Sequence, residues 1–452
     1  MPGARKDKIL YQLYLFLMPL LKAGFQYVHP VLYLLPRIAP TVVMMFFGFV
    51  LVFSLLITRG VSFSLGRPRG HHGNGSHMRQ DGFVHPGMLH TDADFARMKA
   101  KVDAGTVPWI TGWNILTANS HSSASYVPHP LVTVYRGTGY PENYGTLYND
   151  IAAAYALGLR WKISGNTSYA DTAVKILNGW SSTLKVINGS SDLYLTSGIY
   201  GYEFANAAEI LRSYSGWAAS DQNTTKTMLH DVFFSKNHDF LVWHNGAKLD
   251  HYRANWDLCN MASMLSIGIF NDNRTMYEEA ITYFKNGIGN GNINNFTRDL
   301  YFVDGEVLAQ GQEAGRDQGH ATLDFALLGA FAQTAYNQGD DIFAYENNRI
   351  LAGSEYCAKY NVGYNVPYTA YTNSDVTQSV ISNSSRGSIR PEWELLYAHY
   401  ADLKGLNANY TGQYRDLVNN ASGGAEGGGG NYGPNSGGYD QLGYGTLTFR
   451  LK

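Results

Sequence analysis

The stretch "LYNDIAAAYALGLRWKISGNTSYADTAVKILNGW", residues 147–180, sets the period of the chain. Leu147, Ile151, Ala154, Gly158 and Trp161 recur at steps of three and four, which is one stripe of an α-helix. After the polar break "KISGNTS", Tyr169, Ala173, Ile176 and Trp180 form a second stripe. Two striped helices joined by a short Gly/Asn turn make an αα-hairpin.

The plan recurs in "MASMLSIGIFNDNRTMYEEAITYFKNG", residues 261–287, and again in "ALLGAFAQTAYNQGDDIFAYENNRILAGSEYCAKY", residues 326–360. Uneven spacing between the units argues against a tandem solenoid. Helical hairpins over most of the chain predict an all-α fold, an (α/α) toroid in which inner helices line a cleft and loops at one end carry function. In "LHTDADFARMKAKV", residues 89–102, Thr91 is the expected N-cap, with acids in the first turn and bases in the last. The tail "GGAEGGGGNYGPNSGGYDQLGYG", residues 423–445, is too glycine-rich for a helix; its tyrosines point to a loop that packs back on the body.

The N-terminus has a different character. Residues 38–58, "IAPTVVMMFFGFVLVFSLLIT", carry no charge and are long enough to cross a bilayer as a helix. This divides the chain into an N-terminal segment 1–37, a transmembrane signal-anchor 38–58, a Gly/Arg-rich linker 59–82 and a folded domain 83–452. Sequons at Asn74, Asn166, Asn188, Asn223, Asn273, Asn295, Asn383, Asn409 and Asn420 all follow the apolar segment. Their one-sidedness fits a membrane-anchored glycoprotein with an extracellular or lumenal body, or a secreted one if the segment is a cleaved signal.

Composition narrows the function. A net charge of −2 offers no global field for nucleic acid. Aromatic residues reach 14%, with 33 tyrosines, and rings with a polar edge suit sugar stacking and hydroxyl recognition. Cys259 and Cys357 exclude a disulfide framework; both are expected as buried thiols, with a single bridge between them as the alternative.

Polar residues concentrate in "GQEAGRDQGHATLDF", residues 311–325, which gathers Gln312, Glu313, Arg316, Asp317 and His320 ahead of an apolar helix. Two readings compete. Glu313 and Arg316 pair while Asp317 caps the helix, or the stretch carries chemistry. Glycines at 311, 315 and 319 favour a place where backbone is closely approached. A second gathering, "DFLVWHNGAKLDHYRANWDLCNMA" at 239–262, brings His244, His251, Asn255 and Trp256 to one helix end. No third ligand stands at metal spacing, so no metal is expected. A third, at 139–150, places Asn143 and Asn149 at another helix start.

The stretches at 89–102, 148–166, "YGYEFANAAEILRSYSGW" (200–217), "ANWDLCNMASMLSIGIFNDN" (254–273) and "QEAGRDQGHATLDFALLGAF" (312–331) together resemble the alginate lyase-like polysaccharide lyases, over residues 84 to about 450. The resemblance implies an incomplete (α/α) toroid and cofactor-free β-elimination of a uronic-acid polysaccharide such as alginate or glucuronan. A monomer acting on an acidic polysaccharide is expected. The chemistry requires Arg, Asn or Gln to hold the uronate carboxylate as it becomes enolate-like, and a His or Tyr to move protons at C5 and at the glycosidic oxygen. Arg316, Asn255 and Gln312 are the candidates for the first role. His244 and Tyr301, with His320 as their rival, are the candidates for the second. Asn143, Asn149, Trp256 and Glu313 are expected to contact substrate. The sequence departs from classical alginate lyases, which carry Asn-His where this chain has Asn255-Trp256 and a Tyr soon after the Arg. A glycoside hydrolase using two of Glu313, Asp317, Asp324 and Asp304, and a non-catalytic membrane-tethered polysaccharide-binding protein, remain as alternatives.

Overall fold

The computed structural model describes residues 82–452. The segment 1–37, the apolar stretch 38–58 and the linker up to residue 81 lie outside the described residues. No helix among the described residues is long and apolar enough to cross a membrane.

α1 (Asp92–Asp103) opens on a capping box, in which Thr91 and Asp94 satisfy each other's backbone N–H, and α2 (Trp109–Ala118) follows. β1 (Thr133–Arg136) leads into the hairpin of α3 (Tyr144–Ser164) and α4 (Thr167–Thr183), and β2 (Val186–Gly189) then pairs with β1 in parallel. α5 (Leu193–Leu211) is followed by α6 (Ala219–Met228), a π-helical turn and α7 (Ser235–Trp243). α8 (Ala254–Phe270) and α9 (Arg274–Asn286) form the next hairpin. A short α10 (Ile293–Phe296) precedes the antiparallel ribbon of β3 (Asp299–Val303) and β4 (Glu306–Gln310). α11 (Gln318–Asn337) and α12 (Tyr345–Asn361) form another hairpin. The small ribbon β5 (Tyr371–Thr372) and β6 (Thr377–Gln378), then α13 (Trp393–Tyr397), α14 (Asn409–Ala421) and α15 (Gly445–Thr448), complete the chain.

The helices form two layers. α3 packs on α5, α5 on α8, α8 on α11, and α11 on α13, while α4, α9, α12 and α14 lie outside. The inner layer is apolar nearly all round: α8 is buried from Asp257 through Phe270 and α5 from Thr196 through Leu211. Close approach is achieved with glycine. A Cβ on Gly198 would lie 2.3 Å from the Cys259 sulfur, and one on Gly201 would lie 2.1 Å from the Ser263 hydroxyl. Both cysteines are free and buried, and burial pushes both thiols up.

The inner helices run in the same direction. Tyr144 and Tyr148, in the first turns of α3, stand beside Tyr200 near the middle of α5, and Gly158 further along α3 meets Ile210 and Leu211 at the end of α5. Gly198 and Gly201 meet Cys259 and Ser263 in the same order. Gly319 and Gly329 follow Arg390 and Leu395 likewise. Five helix N-termini therefore gather at one end of the layer, where the helix dipoles put partial positive charge.

Two departures from the helical expectation matter. Three two-stranded ribbons interrupt the helices, so the fold is mainly rather than wholly α-helical. Tyr301 lies on β3, in a hairpin turned by Asp304 and Gly305 at positive φ. The glycine-rich tail is ordered, with residues 425–429 and 438–449 buried. There the backbone comes so close to ring faces that a Cβ on Gly428 would sit 2.0 Å from Tyr444.

Candidate active site

The polar stretch at 311–325 resolves into distinct duties. The helix does not run through it: α11 begins at Gln318, and Asp317 is its N-cap, accepting from the His320 backbone N–H at 2.9 Å. Gln312 and Glu313 cap a different helix. The Gln312 side-chain oxygen accepts from the Ala254 N–H at 3.0 Å, and Glu313 accepts from the Asn255 N–H at 3.1 Å. Two of the orphan donors of α8 are thus satisfied across the inner layer. Gly315 is needed because a Cβ would lie 2.1 Å from the Tyr368 hydroxyl, a close approach of protein to protein.

What remains outward-facing is Arg316 and His320. Arg316 donates from Nη1 to Glu313 at 2.7 Å, and its side chain stays 31% exposed although Glu313 is wholly buried. His320 Nδ1 stands 2.7 Å from the second Asp317 oxygen, and its ring is 37% exposed. Burial alone would raise the Asp317 carboxyl, but hydrogen bonds from His320 and the charges of His320 and Arg316 outweigh it and hold it at about 2. Asp317 therefore fixes both the helix start and the orientation of His320. With Nδ1 committed to Asp317, Nε2 is the nitrogen left for chemistry. Asp324 lies beneath: burial first, then the neighbouring Glu313 carboxylate, push its carboxyl well above the usual range. Asn255, at the start of α8, is buried with a side-chain oxygen that has no protein partner, and the Gln312 Nε2 is likewise unpartnered.

Several other sequence candidates lie elsewhere. His244 is not in a cleft; it ends α7 in the left-handed conformation with its ring fully buried, 3.1 Å from both Asp257 and the Tyr283 hydroxyl. Gly289 and Gly291 close over that cluster. His251 sits on the surface against Asp375. The Tyr301 hydroxyl stands 2.8 Å from the Gln310 side-chain oxygen of its own ribbon and 2.6 Å from the Thr369 hydroxyl outside it. Trp256 packs on Phe240 and Tyr252. The Asn143 amide is fully used in bonding β1, accepting from Tyr135 N–H and donating to the Thr133 carbonyl. The Asn149 side-chain oxygen accepts from His121 Nε2 at 2.8 Å, and its amide nitrogen donates to the Gly145 carbonyl. Among the described residues no cluster of His, Cys, Asp and Glu has the geometry to hold a metal.

Residues not singled out from sequence complete the site. Arg390, just before α13, donates to Gln441 at 3.0 Å and lies 3.5 Å from Asp440. Asp440 is buried and is an electrostatic neighbour of Arg390, Arg136 and His320. Arg136 ends β1 with its guanidinium 4.6 Å over the Tyr144 ring. The glycine-rich tail thus carries a buried carboxylate paired with Arg390 and near Arg136 and His320.

The helical double layer thus presents arginines, an imidazole and tyrosines at its converging N-termini. The chain belongs to the alginate lyase family, whose model matches residues 134–365. No curated protein matches it in sequence. Among solved structures it is similar to an alginate lyase from Bacteroides ovatus, with a TM-score of 0.50 and 13% identity, covering 73% of this chain and 96% of that one. A histidine-to-alanine variant of alginate lyase A1-III complexed with tetrasaccharide, an enzyme from Sphingomonas species A1, also has a TM-score of 0.50 at 13% identity, covering 74% and 92%. These likenesses show the fold, and the family shows an enzyme that acts as a polysaccharide lyase.

Proposed function

We propose that the protein cleaves a uronic-acid polysaccharide, of the alginate or glucuronan type, by β-elimination at the N-terminal end of its inner helices. The observation that carries this reading is the adjacent, partly exposed pair of Arg316 and His320, each held by a carboxylate behind it.

Arg316 receives the carboxylate of the sugar to be cleaved. Glu313 fixes one edge of the guanidinium, and the remaining donors meet two carboxylate oxygens in a planar fork. Asn255 supplies an amide beside it. As the C5 proton leaves, negative charge spreads onto the carboxylate, so contacts at Arg316 strengthen in the transition state. His320 Nε2 takes the C5 proton. The imidazolium, steadied by Asp317, returns a proton to the departing glycosidic oxygen as C4–O4 breaks and the C4–C5 double bond forms. His244, sealed beside Asp257, and Tyr301, committed within its ribbon, leave this work to His320.

The same geometry speaks against a hydrolase. Glu313 is buried on Arg316, Asp324 is buried beneath it, Asp317 is an N-cap held at about 2, and Asp304 turns a hairpin. No two of these flank a common opening as an acid and a base must.

We also propose that the domain is tethered outside the cytosol by the apolar segment 38–58. The side chains of Asn166, Asn188, Asn223, Asn295, Asn383, Asn409 and Asn420 are exposed, as glycan acceptors must be.

A digest of alginate blocks, glucuronan and pectate, read by ultraviolet absorbance, tests the reaction. The expected result is a conjugated, unsaturated product from at least one uronan. Saturated reducing ends without absorbance would mean hydrolysis, and binding with no new ends would mean a non-catalytic protein.

A further inference from the structure

One buried group beneath Arg316 has no task in the elimination. Asp324 stands one helical turn behind His320 on α11 and is 1% exposed. The two carboxylates nearest to it are fully served. Glu313 accepts from the Asn255 backbone N–H through one oxygen and from Arg316 through the other. Asp317 accepts from the His320 backbone N–H through one oxygen and meets the His320 ring nitrogen through the other. Neither oxygen of Asp324 receives a donor among the described residues.

What Asp324 meets is the Glu313 carboxylate, which has no hydrogen to give. Two carboxylates that share a site cannot both ionise, so a proton between them removes the repulsion. Burying an ionised carboxylate with no donor is also far costlier than burying the neutral acid. Other neighbours do not lift the conflict. Arg316 favours charge on Asp324, but Asp317 opposes it, and the Cys357 thiol that acts on it from α12 is itself pushed up by burial. His320, one turn earlier on the same helix, is committed to Asp317.

We propose that Asp324 is a positioning residue that works through its proton: the acid donates to Glu313, the pair carries one negative charge instead of two, and Arg316 stays free to take the uronate carboxylate. The proposal rests on the uronan lyase reading and adds a control to it. Glu313 at 2.7 Å and Asp317 at 3.7 Å already flank the guanidinium. When Asp324 loses its proton on the alkaline side, a third carboxylate beneath Arg316 competes with the substrate for the same cation. Binding of an acidic chain then weakens, through a group that never touches the sugar.

The test compares wild type with Asp324→Asn in the full chain, because the amide is a neutral donor to Glu313 at every pH. The first readout is the infrared difference spectrum of the two proteins without substrate. The carbonyl stretch of a protonated carboxyl should be present in the wild type at neutral pH and missing from the variant. Glu203 and Glu392, whose buried carboxyls are also raised, occur in both proteins and cancel. Buried carboxylic acids titrate as high as about pH 9, so the band should fade between about pH 7 and about pH 10. The second readout is KM on the uronan that the wild type cleaves. The ratio of wild-type to variant KM should grow at least about tenfold from about pH 6 to about pH 10, the effect of one added unit charge beneath the bound carboxylate. His320 titrates in both proteins, so its contribution divides out. Asp324→Ser, with a hydroxyl donor in place of the acid, takes over if the Asn variant does not fold. No Asp324 band at neutral pH, or a KM ratio that stays constant to about pH 10, overturns the proposal. The two readings fail separately: unsaturated product with no Asp324 band sinks only the positioning role. An Asp324 band with no unsaturated product sinks only the lyase, and calorimetric binding of an alginate tetrasaccharide then takes the place of KM.

Discussion

Replacing Arg316 separates charge from geometry at the centre of the site. The side chain has two duties, one toward the buried Glu313 at 2.7 Å and one toward solvent, where it remains 31% exposed. Arg316→Lys keeps a cation for Glu313, so the fold should survive it. What it loses is the planar fork that meets a carboxylate through two parallel N–H donors. If that contact strengthens as the enolate forms, the loss appears in kcat and not only in KM. By analogy with removal of one oxyanion donor, which costs about 3 kcal/mol, kcat should fall at least about a hundredfold. Arg316→Ala has a further consequence. It strands Glu313 beneath the site beside Asp324, whose carboxyl burial already pushes well above the usual range, and stability should drop by about 3–5 kcal/mol, as when one partner of a buried pair is removed. The assay is initial-rate ultraviolet absorbance on the uronan the wild type cleaves, alongside urea melts of the three proteins. Arg316→Lys with near wild-type kcat would falsify the carboxylate-binding role, and residues 311–317 would then be only the caps of α8 and α11.

Three further outcomes follow from individual contacts. Burial, reinforced by Glu394, raises the Glu426 carboxyl from 4.5 to about 7, so its contribution is fully present below about pH 4.5 and is lost as pH rises through about 7. Wild type should therefore lose roughly 3 kcal/mol from this group between pH 5 and pH 8, and Glu426→Gln should flatten that part of the Tm profile; parallel profiles would refute it. His244→Ala removes the ring between Asp257 and Tyr283 and should cost about 2–4 kcal/mol in urea melts. Its kcat should stay within about twofold, because that ring lies away from substrate; a large loss of kcat in a folded variant would return His244 to the chemistry. Gly201→Ala should destabilise by at least about 1–3 kcal/mol in thermal melts, since a Cβ there meets Ser263 at 2.1 Å across the α5–α8 crossing.

The hairpins were legible because helical periodicity is a local property. The stripes at 147–161 and 169–180 became α3 and α4, and Thr91 became the N-cap of α1. The Asp304-Gly305 turn was a hairpin signal within a mostly helical neighbourhood, and it places Tyr301 on a strand. The stretch 311–325 was marked correctly as unusual, yet most of its polarity serves caps, two of them on a helix nearly sixty residues earlier. No spacing rule shows that Gln312 and Glu313 reach Ala254 and Asn255. Nor could spacing bring Arg136, Arg390 and Asp440 together, since they meet only when parallel inner helices align their N-termini and the tail folds over them. His244 misled for the opposite reason. A histidine in a polar loop before a helix looks available, but a left-handed turn at the end of α7 points it inward to Asp257.

The central claim is that His320, oriented by Asp317 and flanked by Arg316, carries the proton in a β-elimination. The most direct measurement compares wild type and His320→Ala on the same uronan, reading ultraviolet absorbance of the product and, by calorimetry, binding of a uronate tetrasaccharide. The account predicts unsaturated product from the wild type, at least about a hundredfold less from His320→Ala, and tetrasaccharide binding retained within a few-fold. Unsaturated product formed at an undiminished rate by a folded His320→Ala enzyme would contradict it.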